Sequence, residues 1–304
     1  LEHFDKIIKI NKLLGHNGSI YGLLHHPGST YFYSIASDGW IVKWDADGRN
    51  SDGKLIANAD AKLFSATLIG HENLLIAGDI NGHLYWIDLE NNTILARTIA
   101  HSRSIFDIKV IDESNMITIS GDGYMTVWDI QIKLPIISIK ISNQGLRCAT
   151  YDEIDKKIYI GSSDNNIYIV STENWNIVEK IVQAHANSVF AVELLGPKLL
   201  ASGGRDAHFV IRAWHDNEEK IIVDHPAHWY TINKIKHLPQ VNMIVTASRD
   251  KTFRLWNDQT YQPIKTIDVF KDGHHHSINT LLWIAESKIL LTAGDDRIIN
   301  MWQL

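Results

Sequence analysis

Two sets of side chains in this sequence have the composition of a hydrolytic site. His228, Ser248, Asp250 and Trp256 fall in one stretch, and His101, Ser120, Asp122 and Trp128 in another. Acyl transfer by a serine needs a hydroxyl meeting an imidazole that in turn meets a carboxylate. In both sets, however, a tryptophan follows the aspartate by six residues. Trp has one donor and an apolar body, so its burial demands a nearby acceptor. With Ser as that acceptor and His bridging to Asp, the four residues read as a buried structural network. No G-x-S-x-G elbow or phosphate loop accompanies them. His274, His275 and His276 suggest a metal site, but adjacent residues on a strand face opposite ways, and a surface loop is the plainer reading. Cys148 in LRCATY reads as a small apolar thiol inside a strand, not a nucleophile. No cofactor or metal is therefore expected.

These residues sit on short strands. In AHWYTINKIKHLPQVNMIVTASRDKTFRLWN, residues 227 to 257, the runs TINKIKHL, NMIVTAS and KTFRLWN are separated by a Pro turn and an Arg-Asp-Lys turn. The unit recurs as DGWIVKWD, NGHLYWID, DGYMTVWD, a degraded DNNIYIVS, RDAHFVIRAWH, DKTFRLWN and DRIINMWQ. The anchor positions Trp44, Ile87, Trp128, Val170, Trp214, Trp256 and Trp302 are spaced by 43, 41, 42, 44, 42 and 46 residues. Such a period, with four short strands per unit, marks a β-propeller blade. Helical periodicity is nowhere sustained.

The chain resembles the WD-repeat (tryptophan-aspartate repeat) propellers. Gly15-His16, Ala100-His101, Ala184-His185, Ala227-His228 and Gly273-His274 open repeats, and Trp44-Asp45 and Trp128-Asp129 close theirs. The resemblance implies an all-β, seven-bladed propeller of four-stranded antiparallel blades over residues 1–304, a single domain. The N-terminal strand would complete the last blade and remove two exposed sheet edges. The resemblance also implies a Trp–Ser/Thr–His–Asp hydrogen-bonded chain, complete by this reading only in repeats 3 and 6. In repeats 2 and 4, Ile87 and Val170 replace Trp where Ala59 and Ser142 replace His, a consistent loss of both partners. In repeat 5, Asp206 and Trp214 are eight apart, so a longer turn or a bulge is expected there.

Composition narrows the function. The 304 residues carry a formal charge of −6 and 45% hydrophobic residues, which gives no basic face for nucleic acid. No apolar run approaches the ~20 residues of a membrane span, and LEHFDKIIKINK reads as no secretory leader. A single cysteine fits a reducing compartment, and a cytoplasmic location is expected.

The resemblance places partner binding on the face holding the turns between second and third strands and the leads into the inner strands. Carried over position by position, this gives Tyr21, Phe64, Phe106, Arg147, Phe190, Asn233 and Asn279 just after the inner-strand anchor. Just before it are Ser19, Lys62, Ser104, Gly145, Ser188, Thr231 and Ser277. Ser37, Ile80, Gly121, Ser163, Arg205, Arg249 and Asp295 directly precede the turn position. Aromatic and Arg residues are enriched at binding hot spots. The acidic pairs Asp112-Glu113 and Asp152-Glu153, with Asp155 and the run from Asp216 to Glu219, fall in turns assigned to the opposite face. The expectation is a non-enzymatic scaffold in a multiprotein complex, docking an acidic and apolar peptide or loop. The alternative is a propeller with a small ligand or metal and an enzymatic activity at the channel, for which Asn233, Asn279 and Asp295 are the only candidates.

Overall fold

A computed structural model describes residues 7–26, 28–47, 51–70, 73–215 and 218–304. The described chain forms seven four-stranded antiparallel sheets, one per sequence repeat, with short 3-10 turns at Pro239–Val241 and Val269–Lys271. Six sheets use four consecutive strands in sequence order. In the seventh, Ile8–Leu14 lies beside the last strand, Ile298–Gln303, in register from Ile8 opposite Gln303 to Leu14 opposite Ile298. The closure expected from the N-terminal strand is thus present. Residues 4–6, the start of the FDKIIKINK segment expected to supply that strand, lie outside the described residues.

Inner, second and third strands are short and β-branched, and their second strands are almost wholly buried: MITIS, KIYIGS and MIVTAS are examples. Outer strands alternate towards solvent, as in KINKLL and TILARTI. Asp-Gly or Asn-Gly turns with positive φ at Gly39, Gly82 and Gly123 join second to third strands in the first three sheets. Asn165, Ala207, Lys251 and Arg297 take that left-handed position in the other four.

Two compact units can be distinguished. One comprises residues 1–76, 85–96 and 236–304, the other 77–84 and 97–235. The first has cores around Phe32, Trp44 and Met301, and around Leu238, Phe253 and Trp302. The second has cores around Ile117, Val127 and Ile158, and around Tyr159, Val189 and Leu200.

Candidate functional site

The Trp–hydroxyl–His–Asp chain exists, but its hydroxyl is not the one expected. Trp128 Nε1 donates to Thr118 Oγ1 at 3.0 Å, His101 Nε2 lies 2.7 Å from the same oxygen, and His101 Nδ1 lies 3.2 Å from Asp122. Ser120 instead donates to the Arg103 carbonyl at 3.0 Å and accepts from the Asp122 amide. Likewise, Trp256 donates to Thr246 at 3.0 Å, and Ser248 accepts from the Asp250 amide. The register explains the shift. Trp128 stands opposite Met116, so its indole reaches residue 118 rather than residue 120 beside the turn.

With the hydroxyl ten residues before the Trp, further repeats qualify. In the first, Trp44 and His16 share Ser34, with His16 on Asp38; in the seventh, Trp302 and His274 share Thr292, with His274 on Asp296. The restriction to repeats 3 and 6 is therefore corrected. Repeat 4 replaces the buried set with Ile160 and Val170, and its Asp164 takes hydroxyl donors from Ser142 and Tyr168, both at 2.7 Å.

Repeat 5 departs furthest from the sequence reading. Its second and third strands pair without interruption from Leu199 to Gly203, with Leu200 opposite Arg212. Arg212, not Trp214, holds the anchor position, so no two-residue expansion of the hairpin is needed. Arg212 is 2% exposed. Its guanidinium donates to Ser202 Oγ at 2.9 Å and to the Ala184 carbonyl, and it pairs with Glu219 at 2.9 Å. Ser202 also meets His185 Nε2 at 2.9 Å. Trp214 lies near the strand end, donates to Glu179 and packs on Tyr159. A guanidinium thus supplies the N–H that an indole supplies elsewhere.

These chains set the carboxyl groups. Burial raises the Asp122 carboxyl, but the His101 hydrogen bond and the Tyr124 and Ser102 amides outweigh it and leave the group well below the usual range. Asp38, Asp206 and Asp296 are depressed by the same balance, through His16, His185 and His274. The serine and aspartate of each set face structural partners, and the arrangement serves as a brace.

The same turns build the candidate binding surface. The amide preceding the turn aspartate donates to the residue leading into the inner strand: Ser37 to Ser19, Gly121 to Ser104, Ser163 to Gly145, Arg205 to Ser188 and Asp295 to Ser277. Two of the position classes carried over from the resemblance therefore meet in space. In the second unit, Ser104 Oγ donates to Ile80 O and Ser188 Oγ to Ser163 O, linking neighbouring turns. Arg147 lies between two rings, its guanidinium carbon 4.5 Å from the Phe106 centroid and 5.3 Å from that of Phe190. Its Nε donates to Ser163 Oγ at 2.7 Å. Burial, with the like charge of Arg205 adding to it, lowers the Arg147 pKa. Arg205 is exposed, and Asn233 is half-buried.

In the first unit, Tyr21 and Phe64 make an edge-to-face pair at 4.8 Å. Asn279 donates to Asp295 at 2.8 Å and to Ile20 O, while Ser277 donates to Asn279. Two of the candidates for a small-ligand site are thus bonded to each other. Lys62 and Arg249 are exposed on their turns. Among the described residues, no group of three His, Cys, Asp or Glu side chains is placed to hold a metal.

Other expected acidic features have local roles. Asp112 accepts from the Ser114 and Asn115 amides, and Asp152 from those of Ile154 and Asp155. Asp216 and Asn217 lie outside the described residues. Sequence reasoning missed the exposed pair Trp229 and Tyr230 and the exposed Arg103, whose carbonyl accepts from Ser120. The signal for all three was their place in the lead-in directly after a repeat-opening histidine. It also missed Asp107, which pairs with Lys109 at 3.0 Å and accepts the Ala149 amide.

Seven four-stranded sheets, closed by the N-terminal strand and braced through indole, hydroxyl, imidazole and carboxylate, define a seven-bladed β-propeller. The solved WD40 β-propeller domain of Doa1 matches it with a TM-score of 0.86 over 99% of this chain and 98% of that one, at 16% identity. A family model described as WD domain, G-beta repeat, matches residues 8–45, 219–257 and 262–303. Those three segments carry WD repeats, and the fold is that of a seven-bladed β-propeller. Nuclear distribution protein PAC1 of Coccidioides posadasii is 29% identical over 162 residues, which is 50% of this chain and 33% of that protein. WD repeat-containing protein 37 of Homo sapiens is 26% identical over 231 residues, 73% of this chain and 43% of that protein. The chain thus spans from a third to under half of the length of these relatives. No helix among the described residues is long and apolar enough to cross a membrane.

Proposed function

We propose that the protein is a non-enzymatic scaffold that docks an acidic, partly apolar segment of a partner protein at the mouth lined by Phe106, Arg147 and Phe190. WD-repeat propellers generally act as interaction scaffolds, which supports the class. The observation that carries the particular reading is the Arg147 clamp. Two aromatic faces and the Ser163 hydroxyl fix a guanidinium while its terminal nitrogens find no protein acceptor among the described residues. A fixed cation with free donors, flanked by rings, suits a carboxylate beside an apolar side chain. Within the same unit, Ile80, Arg205 and Asn233 extend the proposed surface; in the other unit, Tyr21, Lys62, Phe64, Arg249, Asn279 and Asp295 are proposed as contact residues in their own right. The reading covers residues 1–304 as one domain, because no described segment stands between the sheets as a linker. It places the protein in the cytoplasm as a member of a multiprotein complex.

The test is capture from native lysate on immobilised wild-type chain, followed by rebinding of each purified captured protein to wild type and to Arg147→Glu. A partner bound by the wild type and lost from a folded Arg147→Glu chain is the expected result. A partner bound equally by both would sink the assignment of this mouth.

A further inference from the structure

The third sheet ends on an outer strand, Leu134–Lys140, whose one strand neighbour among the described residues is Tyr124–Asp129. Its residues LPIISI carry no charge, and Leu134 to Ser138 are all exposed. Ile132, Leu134, Ile136 and Ile137 are 64%, 55%, 57% and 39% exposed, so four large aliphatic side chains stand in water along one edge. Other outer strands are interrupted by charge: Lys9 and Lys12 in Ile8–Leu14, Arg97 in Thr93–Ile99, and Glu179 with Lys180 in Ile177–Ile181. Such charges, lysine above all, keep sheet edges from pairing. Here the one lysine of the strand is drawn back. Lys140 Nζ donates to the Asp122 carbonyl at 2.8 Å and lies 4.5 Å from the Tyr124 ring centroid, both in its own repeat. The edge also has backbone groups to offer. Ile141 donates its amide to the Gly123 carbonyl, and Met125 stands opposite Ile139. In an antiparallel ladder that phase turns the N–H and C=O of Ser138 and Lys140 away from the sheet. Pro135 has no N–H, and the register shifts between Val127 and Trp128, so the pairable stretch runs from Ile136 to Lys140.

We propose that this edge pairs with the same edge of a second copy of the chain, antiparallel about a two-fold axis at Ser138. The two Ser138 residues then exchange both N–H···O=C bonds, and each Lys140 amide reaches the Ile136 carbonyl across the axis. Ile137 faces Ile139 and Lys140 faces Ile136, so apolar side chains meet and no like charges oppose. An uncharged run gives a charged partner strand nothing to read, whereas a second copy is apolar over the same stretch. Two-fold pairing is also the commonest closed assembly. One strand edge is small against the total of about 1,200–2,000 Å² buried in a stable interface, so dimerisation is reversible, with a dissociation constant of about 10–100 µM. The pairing uses the outer edge and not the mouth, and it stands independently of the docking reading.

Sedimentation velocity on the 304-residue chain, from about 1 to 300 µM, reads the equilibrium. A monomer that becomes a dimer across that range is the expected result. Ile136→Lys places a second lysine opposite Lys140 and should raise the dissociation constant about tenfold or more. Ile154→Lys removes an aliphatic side chain that is 77% exposed on another turn, and should leave the constant unchanged. Both variants replace exposed side chains and should melt as the wild type does. Cys148 is buried, so Ser138→Cys supplies the one exposed thiol. Opposed residues of a hydrogen-bonded pair have Cα atoms about 5.5 Å apart, within disulfide reach, so mild oxidation should link Ser138→Cys to itself. Ile136→Cys, about 14 Å from its own copy in this register, should not link. A chain that stays monomeric throughout overturns the proposal and leaves the edge to a strand of another protein. Equal weakening by Ile136→Lys and Ile154→Lys, or none by the first, overturns the edge assignment. Linking of Ile136→Cys but not of Ser138→Cys overturns the register.

Discussion

Thr118→Val separates the two hydroxyls of the third repeat. Valine matches threonine in shape, so the buried packing at position 118 is kept while the shared acceptor is removed. Trp128 and the His101 side chain are each 1% exposed, so neither can turn to water for a replacement partner. A buried polar group left unsatisfied costs about 1–3 kcal/mol, and two groups are affected here, so about 2–4 kcal/mol is expected. Ser120→Ala removes a hydroxyl from a carbonyl and from a turn amide, for about 1 kcal/mol. Unfolding entropy near 2.1 cal/mol/K per residue gives about 0.6 kcal/mol/K for 304 residues, or about 1.6 °C per kcal/mol. Thermal unfolding followed by far-ultraviolet circular dichroism should therefore show Thr118→Val lowered by about 3–6 °C and Ser120→Ala by under 2 °C. A larger drop for Ser120→Ala would refute the assignment of Thr118 as the shared acceptor and restore the one read from spacing.

Three further outcomes follow from the same contacts. Arg212→Ala strips donors from Ser202, the Ala184 carbonyl and Glu219, and should cost about 2–4 kcal/mol in urea unfolding, with Glu219 partly solvated and so limiting the loss; a neutral result would mean that repeat 5 is not braced through this residue. Burial pushes the Cys148 thiol up to about 12, so iodoacetamide should label it at pH 8 only after unfolding, as read by intact mass; rapid labelling of the native chain would contradict its placement. Because the Asp38, Asp122, Asp206 and Asp296 carboxyls are depressed in the folded state, their contribution to stability is present above the unfolded value near 3.9 and lost as pH falls from there through the folded values. The melting temperature should fall steeply below about pH 4, and less steeply in Asp122→Asn; identical slopes would count against the His101–Asp122 contribution.

The strand pattern and the repeat were legible because they rest on local signals, alternation and turn residues, that need no knowledge of contacts. The Asp–His half of each brace was also legible, since both residues are marked by neighbouring turns. The hydroxyl was not. Thr118 and Ser120 stand on the same side of one strand, and alternation cannot separate residues two apart. Only the pairing of Met116 with Trp128 decides between them. Arg212 was missed for a different reason. A search for an apolar anchor passes over arginine, although its planar donors can meet the same hydroxyl when a carboxylate such as Glu219 offsets burial of the charge. At the mouth, the types of Phe106 and Phe190 could be read, but not that both would close on Arg147. That contact depends on neighbouring repeats coming together.

The displaced serine also connects the scaffold to the proposed mouth. Ser120 donates to the Arg103 carbonyl and caps the Asp122 turn. Ser162 repeats the pattern, with its hydroxyl 3.4 Å from both the Gly145 carbonyl and the Asp164 amide. In these two turns a serine thus holds the lead-in, which carries the binding residues, against the hairpin. Thr118, by contrast, lies deep in the sheet and touches none of the proposed contact residues directly. Stability and binding should therefore divide between the two hydroxyls. Thr118→Val should lower the melting temperature and leave partner affinity unchanged well below the transition. Ser120→Ala should melt nearly as the wild type but bind its partner more weakly, because Arg103 loses its anchor. Titration of both variants against one confirmed partner reads the split. If the affinity of Ser120→Ala equals that of the wild type, Arg103 is not held for binding by this turn.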